Sequence, residues 1–119
     1  MKFTVEKTLQ NLEARACKLE LPHGEVCTPV FMPVGTNSTV KTLIMDQVNS
    51  CGAQIILANA YHMYLRPGPE LIEKAGGLHK WSNWKKPILT DSGGFQVSSH
   101  GRFGKSKISD EGVLFKDPW

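Results

Sequence analysis

Two short apolar runs constrain this chain more than any other feature. Gln54-Ile55-Ile56-Leu57-Ala58 and Pro87-Ile88-Leu89-Thr90 are each too short for a helix and carry too little polar alternation for a strand with one wet face. Both read as strands buried on two sides. A helical segment lies between them, Pro69 to Ala75, with proline in the first turn and Gly76-Gly77 as the stop. Before the first run, Leu43-Ile44-Met45-Asp46-Gln47-Val48 has helical spacing, with Thr42 as its N-cap and Gly52 as its C′ glycine. Strands alternating with helices predict parallel pairing in an α/β fold.

The first thirty-five residues read differently. Cys17, Leu19 and Leu21 alternate with Lys18 and Glu20, and Val26, Thr28 and Val30 continue beyond a turn at Pro22-His23-Gly24-Glu25. That pattern is a β-hairpin, with Pro29 and Pro33 marking an edge or a strand end. The expected organisation is one domain over residues 1–119, with the hairpin in about 1–35 and the first βα units in about 36–119. Val113-Leu114-Phe115 reads as the start of a further strand with nothing after it to pair. Three parallel strands leave an open edge, so the chain is expected to be a fragment of a longer enzyme.

Composition excludes several classes. With 119 residues, 40% hydrophobic and 21% charged, the chain is ordinary globular material. A net charge of +3 permits a nucleic-acid partner without arguing for one. The densest basic stretch, Arg102 to Lys107, reads as a solvated loop or a phosphate contact. Three cysteines, Cys17, Cys27 and Cys51, lack CxxC spacing, which fits reduced thiols in a cytosolic protein. No signal peptide and no membrane-length apolar run is present.

In open α/β sheets and in (β/α)8 barrels, ligands bind where the C-terminal ends of the strands meet the loops. Three segments occupy such positions: Met32 to Thr36, Leu57 to His62, and Thr90 to Gln96. In a barrel they converge on one mouth. The last contains Asp91-Ser92-Gly93-Gly94-Phe95-Gln96, a carboxylate followed by two glycines that allow close approach to the backbone. Asp91 reads either as a proton-transfer group or nucleophile, or as a turn or N-cap aspartate. Asn59 either orients that carboxylate and binds a hydroxyl, or serves a turn. Phe95 either stacks on a planar base or packs in the core. His62 and Arg66 have structural readings beside catalytic or phosphate-binding ones. Trp81 and Trp84 are expected to cover a helix or loop against the core. Neither a Walker A nor a dinucleotide fingerprint is present, and no Gly-x-Ser-x-Gly elbow.

Four stretches together resemble the tRNA-guanine transglycosylases, (β/α)8-barrel enzymes of queuosine and archaeosine modification. They are Leu21-Pro22-His23-Gly24 with Thr28-Pro29-Val30-Phe31-Met32-Pro33-Val34-Gly35-Thr36, then Gly52 to Gly68, then Gly76-Gly77-Leu78-His79, and Pro87 to Val97. The wording is nearer the bacterial, queuosine-type branch. The resemblance implies an incomplete (β/α)8 TIM-barrel fragment and exchange of guanine at the tRNA wobble position for queuine or preQ1. It also implies double displacement through a covalent enzyme–RNA adduct. Asp91 matches the aspartate that binds the base and transfers protons. Ser92 and Gln96 match base-recognition positions, Phe95 the stacking aromatic, and Asn59 a residue near the aspartate. Val34 and Leu57 match the wall of a ribose subpocket.

The resemblance further implies tRNA, guanine and a 7-deazaguanine as partners, a homodimer or heterodimer at full length, no membrane, and a cytoplasmic setting. It implies a structural zinc held by Cys-x-Cys-x-x-Cys and His, whose ligands lie outside this chain, as does the nucleophilic aspartate. Alone the chain is therefore expected to be inactive. Two departures stand out. Ala58-Asn59-Ala60-Tyr61-His62 replaces the usual Gly-Asn-Thr-Tyr-His, and Ser98 to Gly104 drifts from the family text with a small insertion. Rival readings are a non-catalytic partner subunit, an inactive truncated remnant and a generic (β/α)8 glycosidase fragment.

Overall fold

The computed structural model describes residues 1–96 and 106–115. Alternating residues over Arg15–Leu21 form strand β2, which turns at Pro22-His23 into β3, Gly24–Thr28. Leu19 pairs with Val26 and Cys17 with Thr28. Cys17 and Val26 are the buried residues of this pair. The strand expected to reach Val30 stops at Thr28, because Pro29 has no N–H to extend the ladder. The hairpin is the inner part of a larger unit. Strand β1, Lys2–Thr8, adds antiparallel to β2 and gives the order β1-β2-β3.

Helix α1 covers Met45–Ser50 and begins later than expected. Thr42 is not its N-cap: it has φ +69, and its hydroxyl donates to the Lys41 carbonyl at 2.6 Å. The start is fixed instead by Gln47, whose Oε1 accepts from the Ile44 N–H at 3.0 Å. This is half of a capping box and satisfies one of the helix's orphan donors. Gly52, at φ +82, takes the expected left-handed position after the C-cap. Met45 and Val48 face inward and pack with Ala53, Ile56 and Trp84.

Strand β4, Ile56–Asn59, pairs in parallel with β5, Ile88–Asp91. The crossover holds three short helices rather than one: α2 at Ala60–Leu65, α3 at Pro69–Lys74 and α4 at Leu78–Ser82. Pro69 opens α3 as expected. Trp84 is buried to 2% exposure, and its indole N–H donates to the Pro87 carbonyl at 3.0 Å. Trp81 remains 38% exposed and covers little.

The segment Val113-Leu114-Phe115 is not left without a partner. It lies in β7, Gly112–Phe115, which pairs antiparallel with β6, Ser106–Ser109, across Asp110-Glu111. The described chain is thus mixed α/β, with one three-stranded and two two-stranded sheets. Among the described residues no helix is long and apolar enough to cross a membrane. Arg102 to Lys105 and the drifting text after Gln96 lie outside the described residues.

Candidate functional site

In a strand, alternate side chains take opposite faces, and residues paired across a parallel ladder share a face. The register Ile56↔Ile88 through Asn59↔Asp91 therefore divides the β4–β5 sheet cleanly. Ile56 and Ile88 lie on the face that α1 and Trp84 cover. Leu57, Asn59, Leu89 and Asp91 lie on the other. Val34 joins that second face through a parallel bridge to Leu57. The bridge is fixed by Leu57 N–H to the Pro33 carbonyl at 3.0 Å and Gly35 N–H to the Leu57 carbonyl at 2.6 Å. One step further, Asn59 N–H donates to the Thr36 carbonyl at 3.1 Å. Two of the three sequence-selected segments thus lie side by side, and the third pairs with the second through β5. Val34, Leu57 and Leu89 form an apolar row leading to the Asn59–Asp91 pair at the strand ends.

That pair is built tightly. Asn59 is 6% exposed and has two roles at once. Its Oδ1 accepts from the His62 N–H at 3.0 Å, which makes it the N-cap of α2. Its Nδ2 donates to Asp91 Oδ2 at 2.7 Å. The other carboxylate oxygen, Oδ1, accepts from Ala60 N–H at 3.2 Å and from Gly93 N–H at 3.3 Å. Asp91 thus forms an Asx turn to its own loop and a clamp onto the neighbouring strand, so the structural and the functional readings of this residue coexist. All three partners are donors, and only a group with two acceptor oxygens satisfies them together.

Gly93 is required where it stands. Its φ is +72, and a Cβ there would lie 3.0 Å from Tyr61 Cβ. The loop after Asp91 is therefore seated against α2, and residues 94–96 begin a helical turn. Gly93→Ala is expected to destabilise the fold by about 1–2 kcal/mol, read as a shift in the urea midpoint. Ser92 is exposed, Gln96 half-buried, and Phe95 is 78% exposed. Phe95 is thus a surface ring, four residues on from Asp91 in the same loop, and not a core residue. His62 contributes to the cluster through its backbone, by capping. The backbone donors of Ala60 and Gly93 were not among the sequence candidates, since a main-chain N–H leaves no mark in residue type. Among the described residues no group of three or more His, Cys, Asp or Glu side chains is placed to hold a metal ion.

This geometry offers a double acceptor held in place at a strand end, flanked by an apolar wall and an exposed aromatic ring. Such a site suits a planar polar ring that presents adjacent N–H groups. The family model described as queuine tRNA-ribosyltransferase matches residues 10–119. A queuine tRNA-ribosyltransferase of Desulforamulus reducens is 53% identical over 116 residues, covering 98% of this chain and 31% of the relative. That of Moorella thermoacetica is 56% identical over 114 residues, covering 96% and 30%. That of Thermotoga neapolitana is 57% identical over 118 residues, covering 99% and 31%. The chain spans less than a third of the length of these curated relatives.

Proposed function

This chain belongs to the queuine tRNA-ribosyltransferase family, and we propose that it supplies the base-recognition and proton-transfer half of a tRNA-guanine exchange site. The observation that carries this reading is the Asn59–Asp91 clamp, held by a 2.7 Å hydrogen bond across two parallel strand ends. Residues 1–119 form the N-terminal part of a (β/α)8 barrel, and the Val34 segment, β4 and β5 are neighbouring strands of its wall. The mouth of such a barrel is where catalytic groups gather.

Asp91 receives the N–H edge of guanine or of a 7-deazaguanine on its two oxygens. Ser92 and Gln96 read the remaining edge, and the exposed Phe95 ring stacks on the face of the base. Stacking of this kind contributes about 1–3 kcal/mol per base. Val34 and Leu57 wall the ribose. In the exchange, the departing guanine needs a proton and the incoming base must lose one before it attacks the sugar carbon. A single carboxylate beside the base serves both steps. A retaining displacement needs a second carboxylate as nucleophile, about 5 Å from the first. The hydrogen-bond partners of Asp91 among the described residues are an amide and two backbone N–H groups; the nucleophile lies outside this chain in the family pattern that the resemblance implies. The structural zinc that the resemblance implies has no ligand set among the described residues, and no step uses it. The partners this reading requires are tRNA and the free base, met in the cytoplasm.

The test is incorporation of labelled guanine into unmodified tRNA by a full-length protein carrying this chain. Incorporation without strand cleavage is expected; a folded protein that binds tRNA and incorporates nothing contradicts the reading. In the same assay Asn59→Ala removes both the cap of α2 and the restraint on Asp91. The rate is expected to fall about tenfold to a hundredfold, the scale of a misplaced catalytic group. The cap itself is worth about 1 kcal/mol of stability.

A further inference from the structure

Two histidines far apart in the chain meet across the fold. His23 lies in the turn between β2 and β3, and His79 lies in α4. Their rings are stacked, with centroids 3.5 Å apart and planes at 17°. His79 Nε2 is buried and has no hydrogen-bond partner among the described residues. The same imidazole lies beside the backbone of Lys86, in the segment that leads into β5. We propose that this stack is an acid-sensitive latch: neutral rings hold the N-terminal antiparallel sheet on the α4–β5 segment, and a proton on His79 releases it.

The physical reason is that a proton on Nε2 places a charged donor in a buried position with no acceptor. It also places a cation against the stacked ring of His23. Among the described residues no carboxylate is free to offset this. Glu25, the carboxylate beside the turn, is committed to Lys18 at 2.7 Å. On α4 itself the neighbour is the cationic Lys80, whose stem lies over Gly76. From the segment before β5 the charged group is Lys86, whose ammonium donates to the Ala53 carbonyl at 2.8 Å. Burial first, and the facing His23 second, lower the pKa of His79 below its ordinary value of 6.5. A lowered value means that the unfolded or released form takes up the proton more readily. The contribution of the latch is therefore complete above pH 6.5 and is lost as pH falls through the lowered folded value. Because α4 runs through Asn83 to Lys86 into β5, release loosens the strand that carries Asp91. The inference stands independently of base exchange.

The test is NMR on the full-length protein between pH 7.5 and 5, following the imidazole titrations and the amide protection of residues 23–25 and 78–82, corrected for intrinsic exchange. His79 is expected to titrate below the ordinary histidine value, with protection at both segments lost in the same transition. His79→Gln, which keeps a polar bond without a titrating group, is expected to make that protection independent of pH. Should this variant fail to fold, the wild-type titration decides alone. A His79 that titrates at or above its ordinary value, or protection that does not change as it titrates, overturns the latch.

Discussion

Replacing Asp91 with alanine is expected to lower guanine exchange into tRNA by about 10²–10⁴-fold, the usual contribution of a positioned proton-transfer group. The loss should fall mainly on kcat, with a further rise in KM for the free base because two acceptor oxygens disappear. Asp91→Asn is expected to recover little. Asn59 Oδ1 is already occupied by the His62 N–H, so Asn59 presents its Nδ2 towards residue 91. An amide at 91 must turn its own oxygen to that Nδ2. Its N–H₂ then faces the N–H groups of Ala60 and Gly93, which now meet a donor. Only the carboxylate fits all three. Steady-state kinetics of both variants, with circular dichroism to verify folding, measures this. Full retained activity in either variant would remove Asp91 from the chemistry.

The largest effect on stability is expected at Trp84. This side chain is 2% exposed and packs among Met45, Val48, Ala53 and Ile56, joining α1 to the outer face of the β4–β5 sheet. Trp84→Ala should cost about 3–5 kcal/mol, combining lost apolar transfer with the cavity left behind. Trp84→Phe keeps much of the volume and loses the hydrogen bond to the Pro87 carbonyl. That carbonyl still accepts from the Ile56 N–H at 3.3 Å, so the loss from the bond itself should be near 1 kcal/mol. Equilibrium urea unfolding of the two variants separates packing from hydrogen bonding. A cost for Trp84→Ala no greater than that for Trp84→Phe would contradict the packing described.

The parts of the fold that were legible in the sequence are those whose cause is local. β4 and β5 announce themselves as short apolar runs bounded by turn residues. The expected burial on two sides holds only for β4: Leu89 is 39% exposed, so β5 is covered on one face among the described residues. Gly52 and Gly76-Gly77 mark helix ends because few other residues take their positive φ, and Pro69 because the N–H it lacks is unpaired in a first turn anyway. What was hidden depends on distant partners. β1 has no buried residue and carries its hydrophobes Phe3 and Val5 half-exposed; it exists by pairing with β2. α2 is too short to form from propensity alone and is started by Asn59, whose second bond reaches across to Asp91. α1 starts at Ile44 rather than Thr42 because of a side chain later in its own first turn. At the site, the rule that ligands gather at strand ends selected Asn59 and Asp91 correctly as neighbours. The backbone donors that complete the clamp, and the stack of His23 on His79, could not be read from residue types.

The central claim is that the Asp91 carboxylate and the Phe95 ring receive a purine-like base. The most direct measurement is a crystal structure of the full-length protein soaked with guanine or preQ1. The account predicts the base with its N–H edge within hydrogen-bond distance of Asp91, its face on Phe95, and Val34 and Leu57 beside the position of the ribose. A base bound with no contact to residues 91–96 would contradict it.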